Sequence, residues 1–241
     1  REIVTACAEC LSAYFQCDVE IMDDLGEEEI PERKTRTNPY QGMRQLLSTY
    51  ILDEVLRPRL PKDAVCLIGL TATDLYPDPK WNFVFGQASL RERVGVWSMY
   101  RFGNPASGPI GRTLCLLRTL KVAMHETGHM FSIQHETVWT CNMCGSNHLQ
   151  ETDRHPLWLC PSNLAKVCYA VRAEPGKRLG DMEAFCRKYG LDEEADFYRR
   201  EIDALTAAGM GGDQVRSDSG GEAGAGAGIG SAGASSAAGP R

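Results

Sequence analysis

Four residues in the segment 125–135 have the types and spacing to hold a metal ion beside an acid–base group. His125 and His129 stand four residues apart, so on a helix both imidazoles project from one face and can bind one ion. His135 follows six residues later, within reach if the helix ends and the chain turns back. Three neutral imidazoles leave the fourth tetrahedral position of zinc open to water, which is typical of a catalytic zinc site.

Glu126 lies directly after the first of these histidines, where a general base is needed. Zinc lowers the pKa of water towards neutrality, and a neighbouring carboxylate can take its proton. The sequence therefore predicts one zinc ion held by His125, His129 and His135, with Glu126 as the catalytic base. The alternative is an ordinary helix with core or surface histidines, and the third histidine in register argues against it.

The composition of the chain narrows the range of partners. The 241 residues carry a net charge of −6. There is no Lys/Arg run and no basic–aromatic stripe, so we expect no nucleic-acid partner. No apolar run approaches the length of a membrane span, so we expect no membrane partner either. The chain begins at Arg1, so we expect a fragment or a processed product.

The ten cysteines indicate a cellular compartment. Several lie inside apolar segments, as Cys66 and Cys115 do, where a buried free thiol is the ordinary state. Because free thiols persist in a reducing environment, the sequence favours a cytoplasmic location.

The elements that must position the histidines follow from hydrophobic periodicity and turn residues. A helix over about 112–131 would carry the histidines on its last turns. Further helices are predicted at 1–15, 46–56 and 181–205, strands at 19–22, 64–70, 81–86 and 94–102, a loop at 26–42 and a turn-rich connection at 174–180. Strands interleaved with helices favour an α/β or α+β fold with a mixed sheet.

The end of the chain has a different composition from the rest. From Gly209 onward the sequence is mostly Gly, Ala and Ser with a few charges and no apolar face. Such a segment cannot bury enough apolar surface to fold, so we expect residues 209–241 to be a disordered tail.

Several segments besides the histidine motif resemble the archaemetzincins, a branch of the metzincin zinc peptidases. The likeness covers roughly residues 60–170, and the segments agree in order and spacing. They are Cys141-Asn142-Met143, the segments 145–149 and 153–161, and upstream Asp74-Leu75-Tyr76-Pro77, 81–89 and 94–96.

The resemblance implies a metzincin-like fold within one zinc peptidase domain, residues 1–208. A twisted mixed sheet with helices would form an N-terminal lobe, residues 1–131, which includes the active-site helix. A small C-terminal lobe, residues 132–208, would follow with a Met-turn, and Met143 would form the hydrophobic floor under the zinc. The strand at 81–87 would be either an edge strand that pairs with an extended peptide substrate or an ordinary sheet strand.

The chain departs from the metzincin pattern at one turn residue. That pattern has glycine three residues after the second histidine, and Ser132 stands there. If the position needs a positive φ, serine costs about 1 kcal/mol. The turn that brings His135 to the zinc would then be less favourable.

A larger departure concerns a second, structural zinc that archaemetzincins typically hold with four cysteines. The corresponding positions here are Glu136, Cys141, Cys160 and Asn163. Two thiolates are missing and asparagine is a poor zinc ligand, so we interpret Cys141 and Cys160 as the remnant of a site that binds no second zinc. Replacement ligands nearby in sequence are Cys144, His148, His155 and Cys168.

The function that this pattern favours is a zinc metallopeptidase acting on a peptide or protein substrate, with a monomer assumed. Glu126 would activate water and return the proton to the leaving amine. The alternative is a zinc-binding, catalytically weak or inactive protein that binds peptides. Ser132 and the depleted cysteines favour the alternative, whereas the intact Glu126 favours the enzyme. Tyr100 and Tyr169 are candidates for stabilising the transition state.

Overall fold

The computed structural model describes residues 1–209 and the backbone of residues 236–238. Its helices are α1 (Glu2–Phe15), α2 (Ser48–Tyr50), α3 (Pro109–Met130), α4 (Leu149–Arg154), α5 (Pro161–Val171), α6 (Pro175–Lys188) and α7 (Asp192–Ala207), with a π-helix at Ile51–Leu56. Its strands are β1 (Thr35–Thr37), β2 (Arg44–Leu47), β3 (Leu67–Thr71), β4 (Asp74–Tyr76), β5 (Val84–Ser89), β6 (Val94–Ser98) and β7 (Ser236–Ala238).

The strands form one mixed sheet, as the sequence predicts. The strand order is β1-β2-β4-β5-β6-β3, and β7 pairs with β5 outside this path. The β2–β4 and β3–β6 pairs are parallel, and the other pairs are antiparallel. Strand β3 takes an edge position because its partner β6 already pairs with β5 on its other side.

Strand β5 differs from the expectation of an edge strand. It pairs with β6 through residues 86–89, and Val84 pairs with Leu75 of β4. Its remaining backbone groups pair with β7, where Gly86 is opposite Ala237 and Gln87 is opposite Ser236. The strand is therefore interior to the sheet, which agrees with the second of the two alternatives, an ordinary sheet strand, and not with a free edge.

Other element predictions also need correction. Residues 19–22 form no strand, and the side chains of Val19, Ile21 and Met22 are exposed. The helix predicted at 46–56 begins only at Ser48, because residues 44–47 pair as β2 with β1 and β4. Part of the predicted loop 26–42 forms β1, a short edge strand. Its three residues are too few to show the alternation of apolar and polar residues that predicts a strand.

The predicted turn at 174–180 is the start of α6. Pro175 occupies the first turn of the helix, where its missing N–H costs nothing. The Glu174 side chain accepts a hydrogen bond from the Gly176 backbone N–H at 2.8 Å and so caps the helix. The residues that suggested a turn thus belong to a helix start.

One apolar core joins both ends of the described chain. It combines one face of α1, which includes Cys10 and Tyr14, with the inner face of α3 and with α5, α6 and α7. Met143 and Leu157, from the irregular segments after α3, lie in the same core. The helices after residue 132 therefore pack directly on the helix that carries the histidines.

The sheet packs on α3 through a second group of apolar residues. Its buried members are Phe83, Phe85, Trp97, Phe102, Cys115 and Val122. On its other side the sheet packs against the π-helix, through Leu52, Val55, Leu75, Val84 and Val96 among others. Helix α3 is thus fixed between the sheet and the C-terminal helices.

Three further structural facts bear on the sequence predictions. All ten cysteines are free thiols, and Cys66 and Cys115 are partly and fully buried. No helix in the described part of the chain combines the length and the apolar character that crossing a bilayer requires. Most of the predicted tail, residues 210–235 and 239–241, lies outside the described residues, and residues 236–238 form β7.

A buried ion pair fastens the sheet to the loop that leads into α3. The Asp74 side chain is fully buried and accepts two hydrogen bonds from Arg101, at 2.8 and 2.7 Å. Gln45 of β2 donates a third, at 2.7 Å. The Arg101 guanidinium also lies over the Phe83 ring, 3.6 Å from its centroid.

Removing the positive partner of this pair should destabilise the fold strongly. Arg101→Met leaves the Asp74 carboxylate buried without its charged partner, so we expect the free energy of unfolding to fall by about 3 kcal/mol. Urea denaturation monitored by circular dichroism measures this. Arg91→Met is the control, because that side chain is 93% exposed and should change stability by less than about 0.5 kcal/mol. Equal effects of the two substitutions would contradict the prediction.

Candidate metal centre

Helix α3 carries His125, Glu126 and His129 near its carboxyl end, as predicted. The helix ends at Met130, and Ser132 adopts the left-handed conformation with φ of 63°. The backbone N–H of Ser132 donates to the His129 carbonyl at 2.8 Å, and that of Ile133 to the Gly128 carbonyl at 3.1 Å. This closing turn satisfies helix carbonyls that would otherwise lack partners and sends the chain back towards His125.

The three histidines converge on one point. The Nε2 atoms of His125 and His129 are 3.1 Å apart, and those of His125 and His135 are 3.3 Å apart. One nitrogen of each ring lies within 4.8 Å of the others, and this is the one group of three or more possible metal ligands among the described residues. The predicted three-histidine set is therefore brought together.

Two backbone carbonyls fix the orientation and protonation of the helical rings. His125 Nδ1 lies 2.7 Å from the Asn142 carbonyl oxygen, and His129 Nδ1 lies 2.6 Å from that of Ile133. A carbonyl can only accept, so both Nδ1 atoms carry the proton and donate. Burial and the neighbouring His129 lower the pKa of His125 to about 3, and burial lowers the pKa of His129. Both rings are therefore neutral near pH 7, with unprotonated Nε2 atoms.

This arrangement fits a zinc ion. Two unprotonated nitrogens 3.1 Å apart cannot form a hydrogen bond, because neither has a proton to donate. Ligand nitrogens at 2.0–2.1 Å from a tetrahedral zinc ion lie about 3.3 Å from each other. The observed separations match that value, so the ring nitrogens have the chemistry and the spacing to hold one zinc ion between them.

The Glu126 carboxyl group is buried beside these rings. Glu126 is 1% exposed, and its Oε2 atom has no hydrogen-bond partner among the described residues. Burial raises the pKa of Glu126 to about 8. A carboxyl group with an unpaired oxygen and a pKa near neutrality can both accept and return a proton.

The segment after His135 passes beneath α3. Met143 is fully buried, and a Cβ added at Gly128 would lie 2.6 Å from its sulphur, so the methionine packs directly on the helix backbone between the two histidine turns. Gly145 lies against the His135 ring, with its ideal Cβ position 3.1 Å from Nδ1. These contacts agree with the Met-turn position that the resemblance implies.

Ser132 adopts the positive φ that the sequence analysis considered. Despite this, the turn closes and His135 reaches the other rings. The strain is therefore carried by the turn and does not displace the third histidine.

Replacing this serine by glycine should relieve the strain. We expect Ser132→Gly to raise the free energy of unfolding by up to about 1 kcal/mol, because glycine adopts φ of 63° without a steric cost. Ser132→Ala is the matched control, because it keeps the Cβ and should show no such gain. Thermal denaturation of the metal-free proteins measures the difference, and a glycine variant no more stable than the alanine variant would show that the turn is unstrained.

The four positions Glu136, Cys141, Cys160 and Asn163, interpreted above as the remnant of a second zinc site, also come together. The Glu136 Oε2 atom accepts from the Cys160 thiol at 3.4 Å and from the Asn163 amide at 3.5 Å. The same amide lies 3.8 Å from the Cys141 sulphur. A hydrogen-bonded cluster of one carboxylate, one carboxamide and two thiols therefore occupies this region.

The alternative ligands named from the sequence do not complete a second metal site. Cys144 donates to the Trp139 carbonyl at 3.2 Å, and His148 caps the start of α4. His155 makes a hydrogen bond with Ser146, and Cys168 is buried in α5. Within the described residues, Cys141 and Cys160 belong to no group of three ligand atoms within 4.8 Å.

Restoring the missing thiolates tests the geometry of this cluster. Glu136→Cys with Asn163→Cys should give four thiols that bind a second zinc and raise the melting temperature in the presence of zinc. Metal analysis after dialysis should find one more zinc per chain than in the wild type. The single variant Asn163→Cys is the control, and a wild type that already retains two zinc ions would contradict the interpretation of a lost site.

A cavity of about 50 Å³ lies beside His125, Glu126 and His135. The sequence placed none of its remaining lining residues beside the histidines, although Cys144 and His155 were considered as ligands of a second zinc; these residues are Lys121, Val122, Asn142, Cys144, Ser146, Thr152 and His155. Lys121 lies one helical turn before His125, so the helical period alone could have identified it. Tyr100 and Tyr169 do not line the cavity, and both are exposed.

Comparison with known proteins agrees with this geometry. The family model described as peptidase family M54 matches residues 44–168. The chain belongs to peptidase family M54. The histidines, Glu126, the Met143 segment and both remaining cysteines of the second cluster all lie inside the matched range.

The relatives of this M54 chain are archaemetzincins, so the resemblance found in the sequence is confirmed. Archaemetzincin-2 of Macaca fascicularis is 39% identical over 142 residues, which cover 48% of this chain and 39% of that protein. The chain thus spans about two fifths of the length of this relative.

Two solved structures confirm the metzincin-like fold class of this M54 chain. Archaemetzincin from Methanopyrus kandleri is 29% identical with a TM-score of 0.52, over 71% of this chain and 87% of that one. A zinc-dependent peptidase from Methanocorpusculum labreanum is 24% identical with a TM-score of 0.53, over 69% and 93%.

Proposed function

We propose that this M54 chain is a zinc metallopeptidase in which His125, His129 and His135 bind the zinc ion. The observation that carries the proposal is the pair of unprotonated nitrogens facing each other at 3.1 Å, because this arrangement needs a cation. Membership of a peptidase family supports the same conclusion. The substrates are peptides or proteins.

Glu126 is the general base and acid of the proposed reaction. A bound zinc ion supplies a Lewis acid that polarises the scissile carbonyl and makes water more acidic. The unpaired Oε2 atom of Glu126 takes the proton from the attacking water. The same carboxyl group then donates the proton to the leaving amine.

The second candidate function is a zinc-binding protein that binds peptides without cleaving them. Ser132 in a left-handed conformation and the absence of two thiolates favour it. The first of these observations loses its force because His135 still lies 3.3 Å from His125. The unpaired carboxylate of Glu126 has no evident use in a protein that only binds peptides.

The organisation and location of the protein are part of the proposal. We propose that residues 1–208 act as one catalytic unit, with an N-terminal lobe of residues 1–131 and a C-terminal lobe of residues 132–208. The apolar core shared by α1, α3 and the C-terminal helices supports this unit. Ten free thiols support a cytoplasmic location, and we propose that the chain acts as a monomer.

Replacing Glu126 by glutamine should separate catalysis from zinc binding. We expect Glu126→Gln to lower kcat/KM by about 10²–10⁴-fold, because the amide cannot take a proton, while the zinc content stays at that of the wild type. Peptide cleavage is followed by mass spectrometry, and zinc by atomic absorption.

Two controls complete this experiment. Glu54→Gln changes an exposed residue of the π-helix and should leave both activity and zinc content unchanged. Excess chelator should abolish the activity of the wild type, and added zinc should restore it. If the Glu126→Gln variant retains full activity, the proposed role of Glu126 is wrong; if the wild type cleaves no peptide, the binding protein is the better account.

A further inference from the structure

Lys121 places a buried positive charge in the wall of the cavity beside the metal centre. Lys121 is 5% exposed, and it lines the cavity together with His125, Thr152 and His155. It stands four residues before His125 on α3, so both side chains lie on the same face of the helix. The Lys121 side chain therefore borders the same cavity as His125 and His135, and its ammonium group contacts the backbone of Thr152, another lining residue.

The hydrogen bonds of this ammonium group go to neutral acceptors. Nζ donates to the Asp153 carbonyl oxygen at 3.0 Å and to that of Thr152 at 3.5 Å, both at the end of α4. An ammonium has three N–H groups, so one donor remains for another partner. Among the side chains that the structure describes, none brings a carboxylate oxygen within 4.0 Å of Nζ.

The carboxylates of neighbouring residues do not neutralise Lys121 by contact. The Asp153 side chain binds Arg118 in a bidentate pair, with N–O distances of 2.7 and 2.6 Å. Glu194 and Glu193 of α7 act on Lys121 only at longer range, and burial still lowers the pKa of its ammonium. A buried charge without a contacting counter-ion is costly, so a ligand carboxylate that completes the pair would bind favourably.

We propose that Lys121 binds a carboxylate group of the peptide substrate and so gives the cavity a preference for acidic substrates. The proposal rests on the proposed peptidase function and names a substrate class for that site. The carboxylate could belong to an Asp or Glu side chain next to the cleaved bond or to the C-terminus of a short peptide. Both sources offer the same two oxygen atoms to Nζ.

The rest of the cavity is compatible with such a group. The lining also includes Ser146 and His155, whose hydroxyl oxygen and Nδ1 atom are 3.1 Å apart and can hydrogen-bond to a ligand. Glu126 is the one acidic side chain in the lining, and its carboxyl group is the proposed acid–base catalyst. The chain as a whole has a net charge of −6, so a preference for acidic peptides cannot come from its overall charge.

Lys121 also joins α3 to α4, and a purely structural role must be distinguished from binding. If Lys121 only holds the end of α4, its loss lowers the cleavage of all peptides by the same factor. If it binds the substrate carboxylate, its loss lowers cleavage of acidic peptides and spares their amide analogues. The ratio of kcat/KM for the two kinds of peptide is therefore the decisive measurement.

The first experiment uses the zinc-loaded wild type. Acetylated and amidated peptides carry Glu at successive positions of a neutral sequence, and matched peptides carry Gln at the same positions. A further pair differs only in a free or amidated C-terminus. We expect one of these carboxylates to raise kcat/KM by about ten- to a hundredfold, the range of a hydrogen bond to a charged group. A ratio near one for every pair would overturn the proposal.

The second experiment compares variants on the preferred acidic peptide and its neutral analogue. Lys121→Met should bring the ratio to about one while changing kcat/KM for the neutral peptide only a few-fold, and Lys121→Arg should restore part of the preference. Lys62→Met is the control, because that residue is exposed and should keep the wild-type ratio. Equal losses on both peptides in Lys121→Met would show a structural role and overturn the proposal.

A binding measurement keeps this test independent of turnover. Fluorescence anisotropy of zinc-loaded Glu126→Gln protein gives Kd for the same labelled peptides without cleavage. We expect about tenfold tighter binding of the acidic peptide, and loss of that difference when Lys121→Met is added. If the wild type cleaves no peptide but this difference is present, the proposed activity fails and the carboxylate site stands. If peptides are cleaved and no difference appears in Kd or kcat/KM, the carboxylate site fails alone.

Discussion

The two unprotonated imidazole nitrogens of His125 and His129 face each other at a distance that only a cation between them makes favourable. The rings cannot turn away, because the carbonyls of Asn142 and Ile133 each hold the opposite nitrogen. These two carbonyls come from the segments that follow α3 on either side of His135. The helix, its closing turn and the Met143 segment therefore act together to hold the three rings around one point.

The lobe after His135 illustrates how a chain keeps its path when metal ligands are absent. Glu136 receives hydrogen bonds from Cys160 and Asn163 through one oxygen, while the other oxygen accepts from the backbone N–H groups of residues 137 and 138. Leu157 and Val167 are fully buried in the core that includes α1 and α3. Hydrogen bonds and apolar packing thus connect the segments that a metal ion would otherwise join.

How far the sequence predicted the structure depends on how local each signal was. The spacing of His125, His129 and His135 predicted the convergence of the rings. Two residues four apart on a helix point to the same side, and a turn at Ser132 returns the chain towards them. The prediction of a turn at the start of α6 was wrong, because proline and glycine occur both in turns and in the first turn of a helix.

Features that depend on distant partners were not predictable in this way. Gln45 of the short strand β2 is buried because its side-chain amide donates to Asp74, which in turn binds Arg101. Both partners lie far along the chain, so the sequence near β2 does not reveal them. The interior position of β5 depends on its pairing with β4 and β6, and residues 236–238 also pair with it although they have no strand pattern of their own. The cavity lining was missed because Ser146, Thr152 and His155 reach it from a loop and a short helix, whose path no periodicity describes.

The hydrogen bond between His129 and the Ile133 carbonyl, only four residues away, has a consequence for metal binding. Because the turn that ends α3 itself holds the ring, this ligand is oriented by local chain geometry before any ion arrives. Zinc binding then requires little reorganisation of His129, which favours affinity. Pre-setting of this one ligand thereby saves part of the reorganisation free energy that zinc binding would otherwise cost.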